Sequence, residues 1–462
     1  MSFDGFVNFV VDLTKVVGAA YVRTDSAARA AYGEDALGQG HPPDVVVMPG
    51  STAEIAAIAR LCNAQRVPLV VRGAGTGYTG GAVPTSGGVV LSMERLNRIL
   101  EIDSANLLAI VEPNVITGDL QRAVEAVGLF YPPDPASLEK SSLGGNVAEC
   151  AGGPRAFKYG VTKRYVLALE AVLPTGEVIE TGSKAVKNVV GYDLTQLLVG
   201  SEGTLAIITR ITLRLVPKPP AEATLLATFP GIPAAAQAVS ALLARRVVPA
   251  AIELIDADSL AAVQQYTGEA MVPAGTSAAL IVECDGTPAA VDDEIGRVAE
   301  ACRSAGAISV TRAADGADRD RIWDVRRAVS LALRATGLAK VNHDVVVPKG
   351  RVPELFAVVA ELKREYALRI ASFGHAGDGN IHVNLMVDPA DAAELARAKA
   401  AERVLFERVV ALEGSISGEH GIGFAKKPYI ELELSPDEIA LMKRVKTAFD
   451  PNNILNPGKI FP

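Results

Sequence analysis

A chain of 462 residues is longer than one hydrophobic core sustains, since cores stop growing at roughly 250–300 residues, so at least two domains are expected. With 49% apolar and 21% charged residues the composition is that of a packed globular protein and excludes disorder. A formal charge of −8 without any long Lys/Arg run excludes a nucleic-acid stripe, and no stretch approaches the roughly 20 uninterrupted apolar residues of a membrane-spanning helix.

The first 22 residues have an amphipathic helical rhythm, and Asp4, Asp12 and the lack of an initial basic cluster argue against a signal peptide. A βαβ unit follows: a strand over 44–51, a helix from Thr52 to Gln65 capped by Ser51 with Glu54 at its positive end, and a strand over 67–73. Strands over 87–93, 99–103 and 107–113 lead to a helix at Thr117–Val127, then to strands over 167–174, 176–182 and 203–219. Pro217, Pro219 and Pro220 close this region.

Beyond them, strands over 223–230, 249–256 and 278–286 alternate with helices near 233–245 and 287–305, which reads as a second α+β domain. Ile381 to Val387 is a late strand, and a helix near 435–447 precedes the tail DPNNILNPGKIFP. The expected division is 1–218, 219–429 and a returning segment 430–462. Cys62, Cys150, Cys284 and Cys302 form no CxxC pair, so no iron–sulfur cluster or Cys-based zinc site is encoded and a reducing cytoplasm fits.

The loop from Arg72 to Gly81 follows a strand and carries little side-chain bulk, which lets backbone N–H groups approach a diphosphate. Gly75, Gly77 and Gly80 match GxGxxG, but the dinucleotide fingerprint needs a helix directly afterwards, and residues 82–88 are not one. Two further glycine-dense loops, at 132–146 and 151–153, point to a buried ligand rather than to tight turns alone. Near the C-terminus, His375 and His382 stand in HAGDGNIH and Glu419 and His420 in GEHGIG. Alternation along a strand puts Asn380, His382 and Asn384 on one face and Ile381, Val383 and Leu385 toward the core, while the glycine turn lets His375 fold back. Two imidazoles and a carboxylate suit Zn²⁺, Fe²⁺ or Mn²⁺ with coordination sites left open. His41 and His343 lack such company, and His41 reads as surface or loop.

The glycine loops together with VKNVVGYDLTQLLVGSEGTLAIIT resemble the FAD-binding domain of the vanillyl-alcohol oxidase and p-cresol methylhydroxylase family, over roughly residues 40–220. The resemblance implies an α+β fold: a two-subdomain FAD-binding domain, an α+β substrate cap and a C-terminal helical return. It implies diphosphate contacts from Arg72, Gly73, Ala74, Gly75, Thr76 and Gly77, with Thr79 and Gly80 nearby. Likewise it implies a flavin lining of Pro133, Asp134, Ser141, Gly144, Gly145, Asn146, Ala151 and Gly152, and an adenine side at Glu202, Gly203 and Ile207. With neither His nor Cys in the glycine loop, FAD is expected to bind non-covalently.

HAGDGNIH, SGEHGIG and DPNNILNPGKI are similar to the C-terminal part of the glycolate oxidase large subunit, D-lactate dehydrogenase and D-2-hydroxyglutarate dehydrogenase group. By that likeness His375, His382 and Glu419 hold the metal, zinc first, His420 is the base and Asn456 returns to the flavin. Arg326 matches the substrate-carboxylate arginine, and Ser330 stands where 2-hydroxyglutarate enzymes have Thr. Those enzymes also have a Lys two residues before the Asp of the next strand, where this chain has Asn342; Lys340 could substitute if the register differs. D-lactate or glycolate is therefore expected ahead of D-2-hydroxyglutarate, with a hydride passing to flavin N5. Electrons then need an external acceptor: an iron–sulfur subunit, an electron-transferring flavoprotein, cytochrome c or a quinone-linked carrier. Membrane contact would come only through a partner, and a homodimer is left open. Two His and a carboxylate are also the facial triad of non-haem iron oxygenases, against which the glycine loops argue; a non-catalytic flavin-binding subunit would lack the metal cluster.

Overall fold

The computed structural model describes residues 3–269 and 271–462, so the first two positions of the expected N-terminal helix lie outside the described residues. The chain forms two compact units. One takes the chain up to Ala151, Val161–Lys218 and Glu419–Pro462; the other takes Gly152–Gly160 and Pro219–Gly418.

The first unit contains β1 (Val22–Arg23), β2 (Val45–Val47), β3 (Leu69–Arg72), β4 (Val89–Ser92), β5 (Ile99–Asp103), β6 (Leu108–Val111), β7 (Leu129–Phe130), β8 (Val166–Val172), β9 (Val178–Gly182), β10 (Ile207–Arg214) and β11 (Val216–Pro217). The βαβ unit is present, but β4 inserts between its two strands: the sheet order is β1-β2-β4-β3, with β2 and β3 both parallel to β4. The crossover helix Thr52–Gln65 starts where the Ser51 hydroxyl accepts from the Glu54 N–H at 3.2 Å and the Glu54 carboxylate accepts from the Gly50 N–H at 2.7 Å. Its buried stripe, Ile55, Ile58, Ala59 and Cys62, packs with Phe9 and Leu13 of the helix Phe3–Val17 and with Val45, Leu69 and Leu91. The C-terminal tail completes this core: the Leu69 N–H donates to Ile454 O and the Asn456 N–H to Leu69 O, each at 2.8 Å, and Ile454 and Leu455 are buried beside the sheet. A second, antiparallel sheet runs β5-β6-β10-β8-β9.

The second unit is built on one antiparallel sheet of order β15-β12-β14-β13-β17-β18-β16, from β12 (Ala221–Phe229), β13 (Ala251–Asp256), β14 (Ala278–Gly286), β15 (Ser309–Arg312), β16 (Ala339–Val346), β17 (Arg369–His375) and β18 (Asn380–Val387). Helices Ala257–Thr267 and Gly316–Ala335 cover one face, where Ile255, Ile281, Ala371, Phe373 and Met386 meet Val263, Ile322, Val325 and Val329. Other helices, among them Ile232–Ala244, Pro288–Ser304, Val352–Glu365 and Ala392–Ala411, pack against the sheet as well. This corrects the reading of one core-facing side: every residue of β18 is buried, because its polar side also has a helix layer above it. Among the described residues no helix is long and apolar enough to cross a membrane.

Candidate active site

In the first unit the glycine loop leaves β3 at Arg72 and is locked by contacts that tolerate no side chain. A Cβ on Gly73 would strike the Ser142 hydroxyl, one on Gly75 (φ +68°) the Arg72 guanidinium, and one on Gly80 (φ +77°) the Phe424 ring. The Arg72 guanidinium lies against Gly75 of the loop and donates from Nη1 to Glu34 O at 2.6 Å. Ala74 is exposed, Thr76 and Gly77 are half-buried, and Thr79 is buried.

The second glycine cluster opens the helix Leu143–Glu149, whose N-cap is Ser142. Asn146 Nδ2 donates to Thr117 Oγ1 at 2.7 Å, and the Thr117 N–H donates to Ser141 O at 3.0 Å, so Ser141 and Asn146 are fixed through one threonine. The Gly144 N–H reaches Pro113 O at 2.6 Å, Gly145 faces the Ser142 hydroxyl, and Ala151 closes the helix on Asn146 O at 2.9 Å. Pro133 O accepts from Gln121, and Asp134 is half-buried beside it. Gly152 is buried and belongs to the second unit. Ile207 lies inside the hydrophobic core of the first unit.

Glu202 sits at φ +53° with its carboxylate accepting the N–H groups of Ile422 at 2.8 Å and Gly423 at 2.6 Å. Burial pushes its carboxyl up, opposed by those two N–H groups. Asn456 Nδ2 donates to Gly81 O and Glu202 O at 2.9 and 2.8 Å, and the nearest atom to a Cβ on Gly203 would be that same Nδ2. His420 is on the loop Glu202 secures: its ring stacks on Tyr78 at 5.1 Å and its carbonyl accepts from Thr79 Oγ1 at 3.1 Å. The buried Asn456 Oδ1 has no hydrogen-bond partner among the described residues, an acceptor suited to a ligand donor beside glycines 81 and 203. The cradle thus fits a dinucleotide cofactor.

The polar constellation of the second unit lies on one sheet face. His375 pairs with Glu253 on one side and Asn380 on the other; His382 lies opposite Phe373 and Asp344; Asn384 lies opposite Asn342. The glycine turn 376–379 folds the chain back so that His375, at the end of β17, pairs with Asn380 at the start of β18, and this hairpin register brings it to the face. The His375 and His382 rings are 5.4 Å apart and edge-on. The Asp344 carboxylate accepts the Gly418 N–H at 2.9 Å, and the chain continues directly into Glu419. His375 and His382 bring two imidazoles together on this face, donors that fit a divalent metal.

Glu253, fully buried on β13, joins this cluster to Arg326 on the helix Gly316–Ala335: its Oε1 is 2.5 Å from His375 Nδ1, and its Oε2 accepts from Arg326 Nε. Burial opposes the ionisation of Glu253, yet His375 and Arg326 outweigh it and hold the carboxyl down at about 2. The Arg326 guanidinium covers Phe373 at 4.6 Å. Lys340, two residues from Asn342 and on its side of β16, donates to Ser330 Oγ at 2.8 Å, and burial with Arg334 and Arg326 nearby lowers its ammonium to about 8. Asn342 Nδ2 donates to Asn384 Oδ1 at 2.7 Å. His41 is exposed, and His343 is buried against Phe406 at 5.2 Å.

Two family models match the chain: the FAD binding domain over residues 43–182 and the C-terminal domain of FAD linked oxidases over 218–460. The chain belongs to the FAD-linked oxidases. This FAD-linked oxidase is 42% identical to the glycolate oxidase subunit GlcD of Bacillus subtilis, over 97% of this chain and 96% of the relative. It is 38% identical to the D-lactate dehydrogenase of Anaerostipes hadrus, over 90% and 89% of the two chains. Its fold matches p-cresol methylhydroxylase with a TM-score of 0.83 at 20% identity, covering 100% of this chain and 97% of the other. FAD is its cofactor, and it is an oxidoreductase of the FAD-linked oxidase and dehydrogenase class.

Sequence reasoning did not find Glu253, Tyr78 or Asp344. A carboxylate set between Ile252 and Leu254 in the apolar strand Ala251–Asp256 was the available signal for Glu253; the stack of Tyr78 on His420 had none, since 342 positions separate the two residues.

Proposed function

We propose that this FAD-linked oxidase oxidises a small 2-hydroxy acid, D-lactate or glycolate first, to the 2-oxo acid, and passes the electrons to an external protein or quinone-linked acceptor. The carrying observation is the shared sheet face of the second unit, where Arg326 and the His375 imidazole converge on the Glu253 carboxylate and the His382 ring lies 5.4 Å from that of His375. Arg326 offers a planar pair of donors for the substrate carboxylate. His375 and His382, with Glu419 as the expected carboxylate ligand, would hold a metal whose Lewis acidity would lower the pKa of the substrate hydroxyl. His420, carried by the Glu202-secured loop, takes that hydroxyl proton while the Cα hydrogen leaves with its electron pair. FAD, held without a covalent bond, supplies the hydride acceptor. Relatives named as a glycolate oxidase subunit and a D-lactate dehydrogenase support the substrate class.

Lys340 favours D-2-hydroxyglutarate as a second reading: it is a second cation on the same face, ten residues beyond Ser330 and hydrogen-bonded to it. The test is anaerobic mixing of the metal-replete yellow protein with D-lactate, glycolate and D-2-hydroxyglutarate in turn, following the oxidised flavin band. Rapid bleaching by one acid supports the reading and names the substrate. No bleaching by any of them, with FAD and metal bound, rejects it.

A further inference from the structure

We infer that Glu253 is a positioning residue that holds the metal-ligand imidazole of His375 and the substrate-binding guanidinium of Arg326 in register, so that metal affinity and substrate affinity depend on one buried carboxylate. The inference rests on the metal-assisted 2-hydroxy acid reading of the site.

Glu253 is flanked in sequence by Ile252 and Leu254, and its side chain is 0% exposed. An ionised carboxylate survives such burial only when its oxygens are matched by donors. Both are: Oε1 faces His375 Nδ1 at 2.5 Å and Oε2 faces Arg326 Nε. An ionised carboxylate only accepts, so the imidazole proton resides on Nδ1 and the Nε2 lone pair is turned to the metal. With Nε of Arg326 committed to Glu253, a substrate carboxylate meets the Nη pair. Phe373, opposite His382 in register, supports the guanidinium face at 4.6 Å and lies 5.3 Å from the His382 ring. One carboxylate thereby fixes the tautomer of a ligand on β17 and the orientation of an arginine on a helix 73 positions away in sequence.

Glu253→Gln separates the two tasks, because an amide has a single acceptor oxygen: with the oxygen toward His375 its NH₂ opposes the Arg326 N–H, and flipping it opposes His375 instead. Metal-depleted enzyme is titrated with Zn²⁺ in competition with a chelating dye, and KM and kcat are measured with saturating metal; FAD content and Tm report folding. Glu253→Gln is expected to bind FAD normally and to lose about 10–100-fold in Zn²⁺ affinity, in KM, or in both, with kcat changed far less. Glu253→Asp keeps the charge but is one methylene short, so it is expected to fall between wild type and Gln, and it decides the matter if the Gln variant does not fold. Wild-type metal affinity and KM in both variants, or in Asp alone if Gln does not fold, overturn the inference and leave the proposed function standing. Failure of the wild type itself to bind any of Zn²⁺, Mn²⁺ and Fe²⁺ overturns both.

Discussion

His420 is held through its ring face and its carbonyl, by Tyr78 and Thr79, and the next residues of its loop are held by the two oxygens of Glu202. That anchoring survives loss of the imidazole. His420→Ala should keep FAD bound and slow flavin reduction by about 10²–10⁴-fold, the usual contribution of a positioned general base; stopped-flow bleaching checks it, and unchanged reduction removes His420 from the role. Lys340 makes a pH prediction. Its ammonium, lowered to about 8, is charged below that pH and neutral above it. If a second substrate carboxylate docks there, KM for D-2-hydroxyglutarate should climb by about 10–100-fold as pH rises past about 8, while KM for D-lactate stays flat. Lys340→Met should give the high value at every pH.

Strand β13 ends in Asp256, whose carboxylate caps the helix Ala257–Thr267 by accepting the Ser259 N–H at 2.8 Å and also accepts the Ser372 N–H of β17 at 2.8 Å. Burial raises this carboxyl to about 6 from its ordinary 3.8. Between those values the folded chain binds a proton that the unfolded chain has released, so this contribution to stability falls as pH rises through the window. Asp256→Asn removes the titration and keeps one acceptor for the cap. The Tm difference between wild type and variant should therefore drift by a few degrees from pH 4 to 6 and level off above pH 7; a constant difference rejects the assignment. At this scale much was legible beforehand. The helix Thr52–Gln65 falls on its expected residues because its cap and apolar stripe are local signals, and β14 and β18 declare themselves by unbroken apolar or alternating runs. Insertion of β4 between β2 and β3 was not legible, since strand order is decided by pairing across the sheet.

Each of the two units has its own core, and the expected cofactors divide between them: the glycine cradle belongs to the first and the paired histidines to the second. Chelation of the metal should accordingly leave a normal flavin spectrum and abolish substrate-dependent bleaching, with activity restored by Zn²⁺ or Mn²⁺; release of FAD by the chelator would contradict this division. The sequence by itself determined the glycine loops, the two histidine motifs as motifs and the family, because spacing and residue type carry those signals locally. Only the tertiary structure decided that Glu253 joins His375 to Arg326, that Glu202 serves the backbone of the His420 loop, and that Ile207 belongs to the core. The reason is physical: a buried carboxylate is defined by the donors that surround it, and here those donors come from segments tens to hundreds of residues away that only strand register and packing bring within hydrogen-bonding range.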